Sequence, residues 1–518
     1  MRLFLCLWAF CWSVTFLQAQ TTTFSWPEGK KAALCLSFDD ARLSNVDVGL
    51  DLFKKYGVAV TYYVVPGGVR QRLDQWKQAV RDGHEIGNHT LVHPCSENFD
   101  WARSKGLETY NLAAMRRELT AANWEIQELL GVTPESFAYS CGQTYVGRGA
   151  QTQSYVPLVA ELFESGRGWL DEAPNDPMFA DFSQLMGVES DGKDFETQIR
   201  PMLDDAVKNG KWLILGGHEI GVSGPQTTRV KMLEALIQYA QRPNSGIWLT
   251  TVGEAARYVK QQRREKYRQL ADQLTFLASF DKGPHADFAE GDKNIYSGKQ
   301  AGLTSPGVHL APNKGRFGHA LAFTQIAKPP LHFSAHRNVR YDDRQMQGTV
   351  SLWLSLDPEQ ELEPGYCDPI QITDVTYNDA AIWVDFSDKN PRLFRMGVFG
   401  DLKVWNPNDT APDDNPDFNN RLVVAEDRPF GKEIWTHIVI VYENLNQKGK
   451  AKFYVNGRFQ GERDIPEPFT WEPEKAQIYL GLNYTGLMDE VAVFEKAFTE
   501  EEINLLYRSG QSISEWKK

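Results

Sequence analysis

Four short fragments, far apart in this chain, carry side chains that can bind a cation or move a proton. Asp39-Asp40 closes the apolar run Ala32-Ala33-Leu34-Cys35-Leu36-Ser37-Phe38. His89 and His93 follow Gly83-His84-Glu85-Ile86-Gly87-Asn88, and Phe137-Ala138-Tyr139-Ser140-Cys141-Gly142 is the third fragment. His218-Glu219 comes after Lys211-Trp212-Leu213-Ile214-Leu215-Gly216-Gly217. Carboxylate and imidazole are ligands for divalent cations and serve as general bases and acids. Each fragment alone also has a plainer reading. The Asp pair can cap the following helix. His89 and His93 share a face for a metal only if their segment is helical. His218 after a buried strand can be a core histidine with a bonded ring. The chemical reading rests on the combination, each piece lying just beyond a strand or a turn.

The elements that must position these fragments alternate. Residues 32–38 and 58–65 are strand-like, the second rich in β-branched and aromatic residues and ended by Pro66-Gly67-Gly68. Residues 45–55 and 107–130 have helical spacing, and 211–215 is another buried strand. Strand and helix alternating from about residue 31 to 260 predict an α/β domain, open or closed into a barrel, with functional loops at the strand C-termini. Residues 254–273 read as a charged helix at a domain edge, and the boundary is placed near residue 270. Beyond it, 349–355, 381–386, 436–442 and 452–457 are strand-like, with turn-rich spacers such as Asn406-Pro407-Asn408-Asp409. That pattern predicts an all-β sandwich.

A length of 518 residues suits two domains. The formal net charge of -13 argues against broad binding to nucleic acid or to an anionic membrane. Met1-Arg2, the apolar run Leu3 to Phe16 and Leu17-Gln18-Ala19 read as a secretory signal peptide over 1–19, leaving no stable membrane span after cleavage. Four of the six cysteines then remain, Cys35, Cys95, Cys141 and Cys367, too few for a disulfide-built fold.

In this order, Asp39-Asp40, the His89-x-x-x-His93 pair, the Tyr139–Gly142 segment and His218 resemble the polysaccharide deacetylase family, the NodB-like carbohydrate esterases, over residues 30–260. The resemblance implies a distorted (β/α) barrel. It implies that Asp40, His89 and His93 bind a divalent metal, usually Zn2+, with metal-bound water as the nucleophile. Asp39 is then the general base, His218 the general acid for the leaving nitrogen or oxygen, and the Cys141 backbone N–H an oxyanion donor. The chain departs from the family in two places. The third motif commonly reads Arg-x-Pro-Tyr, its Arg orienting the base, whereas here it reads Ala138-Tyr139-Ser140-Cys141. No Asp partner for the acid histidine can be placed either, since Glu219 points elsewhere if strand alternation continues. Cys95 and Cys141, if both border the site, form a candidate disulfide; the alternative is two small buried side chains. Tyr62, Tyr139 and Tyr145 are candidate sugar-facing rings, with core packing the alternative for Tyr62.

In the second half, Trp435-Thr436-His437, Ala451–Gly457 and Gly486–Phe494 resemble the laminin-G-like or concanavalin-A-like sandwich (jelly roll) family over about 275–508. Asn456-Gly457 supplies a hairpin turn, and Thr499 with Glu502 a helix cap. Members of that family bind carbohydrate or Ca2+ or only pack against an enzyme, and the resemblance makes Asp489 and Glu490 cation-facing candidates; a surface ion pair or strand-edge role is the alternative. The Trp residues of this half are expected in the core rather than as a sugar platform, with Trp383, Trp405 and Trp471 the ones whose exposure would decide. The expected organisation is a signal at 1–19, a catalytic domain at 30–260, a linker helix at 261–273 and a sandwich at 274–510. The expected activity is removal of acyl groups, N-acetyl foremost, from an acetylated glycan or amino sugar, by a secreted, periplasmic or cell-envelope protein. The rivals are an O-acetyl esterase and a catalytically silent carbohydrate-binding or structural protein.

Overall fold

The computed structural model describes residues 24–517, so the expected signal segment lies outside the described residues. The chain divides into two compact units between Gln261 and Gln262.

In the first unit eight parallel strands curl into a half barrel, a distorted β/α barrel. They are β1 (Ala32–Asp39), β2 (Thr61–Val64), β3 (Glu85–Asn88) and β4 (Ser136–Ala138). Then come β5 (Ser165–Arg167), β6 (Val188–Glu189), β7 (Trp212–Gly217) and β8 (Ile247–Thr250). The order is β5-β4-β3-β2-β1-β7-β6, with β8 also on β1. β1 pairs with β8 through Ala32–Cys35 and with β2 through Ser37–Asp39, while β7 runs along its other flank. Two strands sharing one flank of β1 must splay, and the sheet curls there.

β1 is buried along its whole length because both faces are covered, as its apolar run from Ala32 to Leu36 requires. Leu34, Leu36 and Phe38 pack with Phe53, Tyr62, Leu213 and Leu236. Ala33 and Cys35 point the opposite way, onto Trp26, Trp212, Val252 and Ala256. The helix expected over 107–130 starts at Leu112, where Asn111 accepts the Ala114 N–H at 2.9 Å, and stops at Gly131 in the left-handed region (φ 75°). The expected linker helix is the end of one continuous helix, Val252–Ala271, in which neither Gly nor Pro interrupts the pattern after Gly253.

The second unit is an antiparallel sandwich of a nine-stranded and an eight-stranded sheet. Val350, Leu352 and Leu354 of one sheet and Ile370, Ile372, Ile382 and Val384 of the other share its core. Trp383, Trp405 and Trp471 are buried. Asn456 and Gly457 turn the hairpin with φ of 49° and 75°. Thr499 and Glu502 make a capping box on the helix Glu500–Arg508. Asp489 and Glu490 are neither at the surface nor on an edge strand. They lie fully buried in the strand Gly486–Phe494, where its partner on one flank changes from Ala320–Phe323 to Leu274–Ala278. Asp489 accepts the Phe317 N–H at 3.0 Å, and Glu490 accepts from the Ser512 hydroxyl at 2.6 Å.

Candidate metal centre and active site

The chemical residues of the first unit emerge at the C-terminal ends of parallel strands, where such sheets place functional loops. Asp39 ends β1 and Asp40 follows it; His89 follows β3 and His218 follows β7. With His93 and Cys141 they line one cavity of about 1160 Å³.

His89 and His93 do not share a helix. The segment after β3 folds back on itself, with Thr90 and His93 in the left-handed region at φ 69° and 56°. The Asn88 Oδ1 accepts the Thr90 N–H at 2.6 Å, and Thr90 Oγ1 accepts the His93 N–H at 3.0 Å. Glu118 of the helix Leu112–Leu130 accepts the N–H groups of Leu91 and Val92 at 3.0 and 2.7 Å. This turn, and not helical spacing, brings both Nε2 atoms to Asp40 Oδ1, at 3.4 Å from His89 and 3.3 Å from His93.

His89 Nδ1 donates to the Ala138 carbonyl at 2.9 Å, which sets its tautomer and leaves the Nε2 lone pair facing Asp40. Arg42 Nε and Nη2 hold the other Asp40 oxygen at 3.1 and 2.8 Å. One carboxylate oxygen and two imidazole nitrogens thus lie within 4.8 Å of one another, a donor set suited to a divalent cation. Cys95 and Cys141 also lie near His93, but they are joined as a disulfide, so neither offers a thiolate.

The site's electrostatics follow from these neighbours. Burial alone would raise the Asp40 carboxyl, yet the imidazoles around it, His89 foremost and then His93 and His218, hold it well below the usual carboxylate range. Burial, aided by His89, pushes His93 down to about 4 against the pull of Asp40, which keeps the imidazole neutral and able to bind metal. His218 moves the other way. Burial opposes its charge, but the bond to Asp191 and the charges of Asp39 and Asp40 raise it above an ordinary histidine.

Two residues that the sequence reading lacked fill its gaps. Arg167, from β5, donates Nη2 to Asp39 Oδ1 in a pair buried on both sides, where the family motif would use an Arg of the third fragment. Asp191, past β6, lies 2.8 Å from His218 Nδ1 and is itself held by the Thr228 hydroxyl at 2.7 Å. Glu219 accepts from Ser44 instead. Both pack against the double glycine before His218. A Cβ on Gly216 would come within 2.9 Å of Arg167 Nη1, and one on Gly217 within 3.0 Å of Asp191 Oδ1. Tyr62 is core, and Tyr139, which lines the cavity, ties its hydroxyl to the Ser183 carbonyl at 2.7 Å. Tyr145 is not among the residues lining the cavity.

The family model for polysaccharide deacetylases matches residues 27–154, and that for the concanavalin A-like lectin/glucanases superfamily matches 342–504. The chain carries a polysaccharide deacetylase domain followed by a laminin-G/concanavalin-A-like domain. A peptidoglycan-N-acetylglucosamine deacetylase of Listeria monocytogenes is 36% identical over 73 residues, 13% of this chain and 16% of that protein. A gellan lyase of a Bacillus species is 23% identical over 264 residues, 46% of this chain and 10% of the lyase. The chain thus spans about a quarter or less of the curated relatives it matches. Among solved structures, a mutant of the peptidoglycan deacetylase PdaC of Bacillus subtilis is similar at 17% identity and a TM-score of 0.29, over 47% of this chain and 97% of that one. Domain 4 of the extracellular arabinanase AbnA of Geobacillus stearothermophilus, solved with arabinotriose, is similar at 18% identity and a TM-score of 0.30, over 45% and 98%.

Proposed function

We propose that this protein is a metal-dependent carbohydrate deacetylase that hydrolyses N-acetyl groups on a polysaccharide or amino sugar. One observation carries the reading. A cation-ready trio shares a cavity with a carboxylate and an imidazole, each held by its own charged partner, Asp39 by Arg167 and His218 by Asp191.

A divalent cation held by Asp40, His89 and His93, zinc foremost, would supply Lewis acidity, polarising the acyl carbonyl and acidifying water. Asp39, fixed by Arg167, takes the proton of the attacking water. His218 keeps its proton to a higher pH than an ordinary histidine and delivers it to the leaving nitrogen. An amide needs that proton, because an amine leaves poorly as an anion. Asp191 on Nδ1 turns the other ring nitrogen of His218 into the cavity. The backbone N–H of Cys141 is assigned to the developing oxyanion.

Residues 30–260 carry the proposed chemistry and the sandwich at 274–510 an accessory role, with 261–273 joining them. In the proposed function residues 1–19 serve as an export signal that delivers the enzyme to the periplasm, the cell envelope or the medium. Among the described residues no helix is long and apolar enough to cross a membrane.

The test is acetate release from N-acetylated and O-acetylated glycans by metal-stripped protein, zinc-restored protein and the Asp39→Asn variant. Release that needs both zinc and Asp39, and that favours amide substrates, supports the proposal. Preference for esters would make the enzyme an O-acetyl esterase, and no release by protein that binds no metal would sink the catalytic reading.

A further inference from the structure

The mouth of the cavity carries apolar surface that the proposed chemistry leaves unused. Phe99 and Trp101 are 43% and 55% exposed and stack on each other, with centroids 5.6 Å and planes 23° apart. Both line the cavity that holds Asp40, His89 and His93, and the Trp101 ring lies 5.8 Å from that of His93. Leu170, 62% exposed, lines the same cavity.

The loop presenting these rings is tied down on several sides. It begins at the Cys95–Cys141 disulfide, and the Cys95 carbonyl accepts the Leu107 N–H at 3.0 Å, closing the loop at its base. Glu108 accepts from the Ser96 hydroxyl at 2.6 Å and the Glu97 N–H at 2.9 Å. Gln143 accepts the Ser96 N–H at 2.8 Å, and Ala102 is fully buried beneath the turn. The Lys105 ammonium sits 5.6 Å from the Trp101 ring. A loop so restrained has already lost its conformational freedom, so a ligand meets a prepared surface. Yet it leaves two large aromatic side chains in water at a hydrophobic cost.

We infer that the Phe99–Trp101 pair is a stacking platform for the pyranose ring next to the acetylated sugar, so that these two residues set how much more tightly a chain of sugars binds than a single one. The inference rests on the deacetylase reading of the adjacent site. The C–H face of a pyranose is apolar and weakly electropositive, and it packs against the electron-rich face of an aromatic ring. The platform adjoins His93, so a sugar on it is a near neighbour of one whose acetyl group reaches the metal ligands.

The experiment measures binding in the Asp39→Asn background of the full zinc-loaded chain, with and without Trp101→Ala. The probes are a β-1,4-linked N-acetylglucosamine tetramer, an O-acetylated xylotetraose and the matching monosaccharides. The expected result is that Trp101→Ala weakens the better-bound tetramer about ten-fold or more, as truncating an aromatic anchor does, and leaves the monosaccharide unchanged. Trp101→Phe should recover most of the loss. Equal Kd values for the tetramer in both backgrounds overturn the inference, as does a tetramer that binds no better than its monosaccharide. A dimer in sedimentation that Trp101→Ala abolishes would assign the rings to a second copy and also overturn it. Acetate release by the unsubstituted enzyme is scored separately. Release with Trp101-independent binding rejects the platform alone, whereas Trp101-dependent binding without release rejects only the activity.

Discussion

Buried carboxylates occur in both halves of the chain, and Asp40 in one and the Asp489–Glu490 pair in the other are shifted in opposite directions. In the deacetylase domain Asp40 is held well below the usual range despite burial, because His89, His93 and His218 surround it. In the sandwich, burial pushes Asp489 up to about 9 with help from Glu490 and Asp281. Burial likewise lifts Glu490 to about 7, although Ser512 and the Ile513 N–H favour its charged form. The difference lies less in depth than in what faces each group. Burial sets the penalty for charge, and the sign of the neighbours decides whether that penalty is overcome. Asp40 is held in its charged form by its neighbours, whereas Asp489 is pushed toward its protonated form.

The largest effect should come from breaking the charged side of this comparison. Arg167→Met leaves Asp39 buried without its partner. Stability in urea should fall by about 3–5 kcal/mol, the cost of stranding a buried charge. Acetate release should fall by about 10²-fold or more as the base loses its position. Arg167→Lys should restore much of the stability but less of the rate, since an ammonium cannot reproduce the guanidinium fork. A full rate in Arg167→Met would show that the pair does not position the base.

Asp191→Asn should act more narrowly. Asp191 helps to raise His218, so its loss should move the alkaline limb of the pH–rate profile to lower pH and slow the reaction about 10²-fold. An unmoved limb would remove His218 as the titrating acid.

The opposite sign is expected in the sandwich. Asp489 goes from 3.8 when unfolded to about 9 when folded, so between those values the folded state holds a proton that the unfolded state has released. Its contribution to stability is therefore full below about pH 4 and declines as pH rises toward about 9, each unit being worth about 1.4 kcal/mol at most. Asp489→Asn should flatten that slope and raise the melting temperature at about pH 8 by a few degrees. A steeper slope in the variant would refute the assignment. Thr499→Ala, which removes a neutral cap, should cost only about 1 kcal/mol and do so with little dependence on pH.

Much of the site was legible because strand ends are legible. The run before Asp39 and that before His218 are strands buried on both faces, and such strands deliver their next residues to the C-terminal rim of a parallel sheet. Spacing alone made the convergence of His89 and His93 conditional on a helix; the family resemblance named the pair but not the turn that joins it. The actual turn depends on left-handed Thr90 and His93 and on Glu118 from a distant helix, none of which periodicity encodes. Arg167 was hidden because β5 has only three residues and no apolar alternation to announce it. Phe99 and Trp101 lie in a stretch without helix or strand periodicity, where exposure cannot be read from residue type.

By itself the sequence determined the two domain types, the strand ends that bear Asp39, Asp40 and His218, the hairpin at Asn456-Gly457 and the cap at Thr499. These follow from local preference and from hydrophobic periods, which are properties of neighbouring residues. Only the tertiary structure decided which charge meets which. Arg167 stands 128 positions from Asp39, Asp191 stands 27 from His218, and Cys95 stands 46 from Cys141. Pairings over such separations depend on how the sheet curls and where its loops return, and a charge's partner is set by that geometry rather than by its place in the chain.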